Sequence, residues 1–503
     1  MKIQQLIHCL IMWVNSGYVK SFLVIIVWFV TACSSVKSPA VTALENWLAT
    51  HENNYTYCII IPGAGCEGCI LGTEYFAKKY YGRDDILFVF TRIETLKLLK
   101  HKLGKEAVDK GHIIFDTDNE FEIIEEVINN IYPVVCKIEN NEVKDILYVS
   151  PEYDALSEVE KYIKRNPVYT IALDSYFSDS ESNIEFSEIV DSIEYIPLNT
   201  PLDLPVDVIL STKIAGDNIF VLDRSQKLYR FDRKGNYLNL IGNRGEGPDE
   251  YLNVVEFDVD VQNENIFLYD IHKRKIFIFN FLGKFNNSIS IPDYLMNVTQ
   301  LNDSSFVGYK PFYLSDDDCE RLIVFNEKGE EKNVLVLNKI GIAEKQNIDI
   351  FRMADFRIVN KEVYFKLPFD NTMYTMTIDN DCYKNIGIEM GKYLLPNDVA
   401  INTEKYNKHL NFPYIYELKC LKVKDWAFIN FIYEMENYRV LYNLLNKEFY
   451  TISKGKYPEG ITDNINEGFS FWPIWLTIEG NAIGVTEPLE GEGNPILQLV
   501  VFK

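Results

Sequence analysis

Positive charge is scarce in this chain. Its 503 residues carry 50 lysines and arginines against 73 aspartates and glutamates, a formal net charge of −23. That balance argues against nucleic acid or an anionic lipid surface as a partner, because both repel an acidic chain. Histidine is rarer still: the six are scattered and none is paired at i+4, so no histidine metal site is indicated. Of nine cysteines, only Cys66 and Cys69 have ligand spacing, and no second pair follows to complete a zinc clip. The other spacings are too irregular for a disulfide scaffold. Asp316-Asp317-Asp318 lacks the spaced oxygens and glycine of a calcium loop and reads as a solvated turn. The glycine-rich stretch Gly242–Tyr251 has no Lys-Ser/Thr after it and opens no helix, which excludes a P-loop. No serine-centred nucleophile elbow is present, and no cofactor is indicated.

What is present begins at the N-terminus. Lys20 precedes an apolar run, Ser21 to Val30, that is too short to span a bilayer comfortably and stops at Thr31-Ala32-Cys33. Val30-Thr31-Ala32-Cys33 resembles the lipobox of bacterial lipoproteins. The resemblance implies a signal segment over 1–33, acylation of Cys33, and contact with the membrane only through that lipid. A short membrane anchor and an ordinary signal peptide are the alternatives, and Met12 is a second candidate start. Residues 34–40 read as a tether. They lack the acidic cluster associated with surface export in Bacteroidetes lipoproteins, which implies a periplasm-facing place at the outer membrane. In that oxidising compartment a CxxC is a redox or disulfide candidate before it is a metal clip.

Residues 41–165 alternate helical and strand periodicity. The apolar run Tyr57–Ile61 turns through Pro62-Gly63-Ala64-Gly65 into Cys66-Glu67-Gly68-Cys69 and a helical stretch to Tyr80. A helix N-terminus favours the thiolate of Cys66, and the spacing lets Cys69 reach back to resolve a mixed disulfide. Ile86–Phe90 and His112–Phe115 read as strands. Tyr132–Ile138 and Ile146–Val149 read as a hairpin around Glu139-Asn140-Asn141-Glu142, and Phe121–Ile128 as an amphipathic helix. Cys58 and Cys136 read as buried small hydrophobes on strands of one sheet.

The segment resembles the thioredoxin-like fold of envelope thiol oxidoreductases, with Cys66 and Cys69 after a central strand and Pro133 leading into the final hairpin. The resemblance implies an α/β sandwich. It also implies that Cys66 attacks, Cys69 resolves, and a cis Pro133 facing the pair shapes the groove for a protein or peptide client. Three positions depart from that pattern: Gly65 stands where the family has an aromatic, Glu67-Gly68 replaces Gly-Pro, and the strand before the motif has no acid. Glu67 beside the thiols opposes the helix dipole. A structural disulfide and a relic are the competing readings.

Residues 166–184 read as a polar linker, and from 185 to 503 helical periodicity nearly vanishes. Asn218–Asp223 with Lys227–Gly235 recurs about 47 residues later as Asn265–Asp270 with Lys275–Gly283, and four further units follow. Such a period, with a glycine turn between alternating strands, indicates an all-β propeller of six blades; seven blades or two sandwiches are the alternatives. Ile193–Leu198 is an orphan strand that would complete the last blade and close the ring. Gly242–Tyr251 resembles a loop of the six-bladed propeller lipoproteins of Bacteroidetes, similar in shape to NHL-type propellers. Pro248 and Tyr251 are expected to dock on a neighbouring blade. The combined expectation is an anchored thiol–disulfide oxidoreductase domain joined to a propeller that binds a partner or ligand. The alternatives are a non-catalytic binding lipoprotein with a structural disulfide, and a propeller enzyme acting on a carbohydrate-like substrate, for which no catalytic constellation stands out.

Overall fold

The structure is a computed structural model and describes residues 37–503, except 52, 54, 124–130, 178–183, 316, 340–353, 369, 379, 401–412, 467 and 488–492. The expected signal segment with Cys33, most of the Phe121–Ile128 helix and Asp316 therefore lie outside the described residues. The chain divides into two compact units, 1–160 and 161–503.

The first unit is built on one five-stranded sheet. Its strands are β1 (Tyr57–Pro62), β2 (Ile86–Thr91), β3 (Ile113–Phe115), β4 (Val134–Glu139) and β5 (Glu142–Tyr148), in the order β3-β2-β1-β4-β5. β1 runs parallel to β2, and β2 to β3; β4 is antiparallel to β1, and β5 to β4. All residues of β1 and β2 are buried, which is why both read as unbroken apolar runs: helices cover both faces. Helix α1 (Pro39–Thr50) packs Leu44 and Leu48 against Cys58, Ile60, Leu87 and Val89. Helix α2 (Glu67–Tyr80) places Phe76 6.4 Å from Phe88, a residue of opposite parity on β2 and so on the other face. α1 starts inside the expected tether, because Ser38 Oγ accepts the Val41 N–H at 3.3 Å and Pro39 suits the first helical position. The β4–β5 turn falls inside the expected Glu139–Glu142 stretch but is tighter, two residues long, with β5 starting at Glu142. Asn140 (φ 54°) and Asn141 (φ 60°) adopt the left-handed conformation that a type I′ hairpin needs.

The second unit is a six-bladed propeller. Its sheets cover 209–240, 254–290, 297–339, 355–389, 416–455 and 475–502, referred to below as blades one to six. Strand β7 (Val190–Pro197) pairs antiparallel with Ile496–Phe502, from Ile496↔Pro197 to Phe502↔Val190, so the expected orphan strand closes the ring. The recurring glycine turn has a physical cause. Gly235, Gly283 and Gly329 have φ of 82°, 80° and 76°. A Cβ on each would lie 2.1 Å from Pro197 O, 2.3 Å from Leu240 O and 2.2 Å from Ser290 O. Each turn thus backs onto the outermost strand of the preceding blade, closer than any side chain allows. Asp232, Asn280 and Asn326 hold these turns by accepting backbone N–H groups from the residues two and four positions on. Aromatic pairs fill the gaps between blades, including Phe220–Phe281 at 5.0 Å and Phe267–Phe306 at 5.3 Å.

The expected 166–184 linker is corrected by the structure. Strand β6 (Tyr169–Ala172) lies parallel to Cys382–Glu389 as a fifth strand of blade four. Ile171 and Leu173 are fully buried, and the turn Ser175–Phe177 inserts Tyr176 and Phe177 among rings of blade five. Tyr169 to Leu173 is an apolar strand with its partner over 200 residues away, so only the polar stretch behind it is visible locally.

Candidate functional site

Cys66 and Cys69 are joined as a disulfide with Cα atoms 5.3 Å apart. β1 delivers the pair, the Pro62–Gly65 turn breaks the strand, and Cys66 becomes the N-cap of α2. The Cys66 carbonyl accepts the Ile70 N–H at 2.9 Å, and the Cys69 carbonyl accepts Thr73 Oγ1–H at 2.8 Å. Both cysteines are half-exposed. The helix N-terminus favours negative charge on Cys66 once reduced, whereas Glu67 in the first turn opposes it. Arg92 on the loop after β2 donates to the Ala64 carbonyl, which holds a guanidinium two residues ahead of Cys66.

The segment leading into Pro133 runs directly beside the pair. The Cys66 N–H donates to the Ile131 carbonyl at 2.7 Å. A Cβ on Gly65 (φ 153°) would lie 2.3 Å from that same oxygen, so an aromatic before Cys66 cannot be accommodated here. Among the described residues no peptide bond is cis, so the Tyr132–Pro133 bond is trans, contrary to the expectation drawn from the resemblance. Pro133 is buried, and its carbonyl accepts the Val149 N–H at 2.9 Å at the mouth of the hairpin. Cys58 and Cys136 face each other in register across β1 and β4, both fully buried as free thiols. Burial raises both thiols, Cys136 to about 12, which leaves them protonated and unreactive. Cys319, Cys382 and Cys420 are free thiols in the propeller.

In the propeller, the Gly242–Tyr251 loop is structural. Tyr251 is buried between blades one and two, 6.3 Å from Phe279, while Pro248 is exposed rather than buried against a neighbouring blade. The Lys273 ammonium closes the loop by donating to the carbonyls of Gly245, Gly247 and Glu250 at 3.1, 2.9 and 2.7 Å.

A charged cluster that the sequence did not single out lies where the first strands of neighbouring blades meet around the axis. Lys213 of blade one pairs with Asp258 of blade two at 2.5 Å, and Ser211 Oγ donates to Glu256 at 3.1 Å. Asp258 also accepts Thr299 Oγ1–H and the Gln300 N–H from blade three, at 2.9 and 2.7 Å. Burial raises the Glu256 carboxyl, against the pull of Lys213. Burial alone would lower the Lys213 ammonium, but Asp258 and Glu256 outweigh it and hold it above its ordinary value. The visible signal was spacing: Lys213–Asp258 and Ser211–Glu256 are each 45 residues apart, one blade repeat. Oppositely charged equivalents on adjacent blades thus staple the first strands of blades one and two together, with Thr299 and Gln300 of blade three held to the same Asp258. Among the described residues no cluster of metal-ligating side chains occurs.

The chain belongs to the family described as "Domain of unknown function (DUF4934)", which it matches over residues 168–492. That match begins one residue before β6, in keeping with β6 being part of the propeller. No protein with a curated description matches the chain. Among solved structures, a protein of Bacteroides fragilis, named by inference as an exported protein, is 17% identical. It covers 64% of this chain and 98% of its own, with a TM-score of 0.51, and supports the propeller fold. A member of the DUF4221 family from Bacteroides vulgatus is 12% identical and covers 62% and 97%, with a TM-score of 0.40. A virginiamycin B lyase from Staphylococcus aureus is 10% identical and covers 62% and 99%, with a TM-score of 0.30. Neither of the last two is close enough in shape to bear on function.

Proposed function

We propose that the protein is a thiol–disulfide oxidoreductase of the bacterial envelope, anchored through an acylated Cys33, whose first unit is thioredoxin-like and whose propeller binds a partner or ligand. The observation that carries this reading is the half-exposed Cys66–Cys69 disulfide at the start of a 14-residue helix, with the Ile131–Pro133 segment hydrogen-bonded to Cys66. The sheet, three parallel strands followed by an antiparallel hairpin entered from Pro133, supports it. In the reducing direction, the Cys66 thiolate attacks a client disulfide and one client thiolate leaves. The Cys69 thiolate then attacks Cys66 Sγ, releases the second client thiol and restores the intramolecular disulfide; two electrons have passed to the client. The inferred export of the Bacteroides fragilis protein supports an envelope location, and the tether's sequence, without an acidic cluster, supports a periplasm-facing position at the outer membrane.

A second reading treats the pair as a permanent clip on a binding scaffold. The trans Tyr132–Pro133 bond and the Glu67 side chain favour it. Two measurements separate the readings. Under the first, Cys66→Ser abolishes reduction of insulin disulfides and Cys69→Ser accumulates mixed disulfides with envelope proteins. If both variants behave as the parent, and the pair titrates well below about −300 mV, the clip is correct.

A further inference from the structure

Blade five carries a row of polar side chains on one face of its sheet. Lys419, Asn430 and Arg439 lie directly across from one another on three adjacent strands, so their side chains share one face. The next row on that face is Leu421, Phe428 and Leu441, which packs with Trp472 on the segment leading into blade six; Phe428 and Trp472 meet edge to face at 5.1 Å. Beyond this apolar row the blades part into a cleft of about 680 Å³, well within the range of small-molecule sites.

The lining of that cleft is cationic in a chain that is strongly acidic. Among the described residues it presents Arg357, Lys366, Lys419 and Arg439 against two carboxylates, Asp355 and Glu417. Asp355 is committed to Arg357 at 2.9 Å. Arg439 is the informative member. Its guanidinium lies 5.3 Å over the Trp472 ring and has no hydrogen-bond or ion-pair partner among the described residues. Burial lowers its pKa with no carboxylate among the described residues offsetting the effect, yet an arginine stays charged in any protein. A half-buried cation without a counter-ion is costly to maintain, and an anion bound beside it relieves that cost. Apart from Asn371 and Asn430 the remaining walls are apolar, with Leu394 and Ile474 partly exposed.

We infer that this cleft binds a small organic anion, an acidic head group against Arg439 and Lys419 with an apolar body along the wall of blades four to six. The inference rests on reading the propeller as a binding module and is independent of the redox reading.

A matched pair of fluorescent probes tests it on the chain lacking residues 1–33, which retains every described residue. Anilinonaphthalene sulfonate carries the anion, and N-phenyl-1-naphthylamine is the same body without it. The sulfonate is expected to bind saturably at one site, at least about tenfold tighter than the neutral probe. Arg439→Gln should weaken the sulfonate by about ten- to a hundredfold while leaving the neutral probe unchanged, and Arg439→Lys should restore part of the loss. Lys419→Gln, at an exposed position that cannot unfold the blade, should weaken it by a smaller factor. Displacement by octanoate or by octyl phosphate, but not by octanol, supports the inference and identifies the head group. Equal binding of both probes, or a sulfonate affinity indifferent to both variants, overturns the anion assignment and leaves the binding module standing. Binding of neither probe overturns the binding reading for this face as well.

Discussion

Gly65→Ala is the sharpest test of how the cysteine pair is held. A Cβ at position 65 would sit 2.3 Å from the Ile131 oxygen and 2.7 Å from its carbonyl carbon and Cα. These are backbone atoms, so relief requires the whole 131–133 segment to retreat. Three costs follow: about 1–3 kcal/mol for alanine at a φ near 153°, about 1–3 kcal/mol for the overpacking, and about 0.5–1.5 kcal/mol for the Cys66–Ile131 hydrogen bond if the segment moves. The three are coupled, so about 3–5 kcal/mol is the expected loss. Hydrogen exchange by mass spectrometry on peptides covering 57–62 and 67–80 reads it as a fall in protection of about a hundred- to a thousandfold or more at roughly 1.4 kcal/mol per decade. Gly68→Ala is the internal control: its Cβ meets nothing within 4 Å, so it should be neutral or stabilise the helix by about 0.4–1 kcal/mol. If the two alanine variants protect equally, the close approach of the CxxC turn to the 131–133 backbone does not hold the pair as argued.

Two further outcomes are expected in the propeller. Lys273→Met removes the cation that gathers three carbonyls, at about 2–3 kcal/mol of local stability, so limited trypsin should cleave after Arg244 roughly thirty- to a hundredfold faster; an unchanged rate would refute the role of Lys273. Glu256→Gln tests the axial staple through pH. The folded Glu256 carboxyl, facing Lys213, Asp258, Arg357 and Ser211, is held above the usual glutamate value of about 4.3, chiefly by burial. The folded state therefore binds this proton more tightly than the unfolded one, and the wild type loses stability as pH climbs from that usual value to the raised one. The stability difference between Glu256→Gln and wild type, from urea melts at several pH values, should shift in favour of the variant across that window; a difference independent of pH would contradict the assignment.

The sequence exposed those parts of the fold whose cause is local. Asn218–Asp223 and Asn265–Asp270 announce themselves as equivalent because each buries the same run of five residues after its asparagine and ends on a buried aspartate that caps the next turn. The Asn140-Asn141 hairpin was legible for the same reason. β6 was not, since a four-residue strand paired in parallel with 386–389 has no signature of its own. The cysteine pair was legible as a motif, but its surroundings were not. That Gly65 replaces an aromatic could be read from the chain, whereas the reason, the Ile131 carbonyl, lies 66 residues away in sequence. The cluster around Lys213 and the row through Arg439 were hidden among many similar charges, because only cross-blade and cross-strand register selects their members.

The stretch from 169 to 197 supplies strands to two different blades, and the two need different explanations. β7 is required by geometry, because without it the last blade would lack its outer strand and leave the ring open. β6 is not required, since blade four already has four strands. Ordering residues 169–173, the strand and the leucine that follows it, costs roughly 5–10 kcal/mol of backbone entropy. Full burial of Ile171 and Leu173 returns about 1.5–3 kcal/mol each, and the ladder with 386–389 a few kcal/mol more. Those terms nearly cancel, so the strand alone is marginal. The surplus comes from the turn that follows: Tyr176 and Phe177 pack against Phe431, Tyr433 and Phe449, and the Tyr176 hydroxyl hydrogen-bonds Thr451 at 2.8 Å. Strand and aromatic turn therefore act as one anchor that spans blades four and five, and neither half is expected to hold without the other.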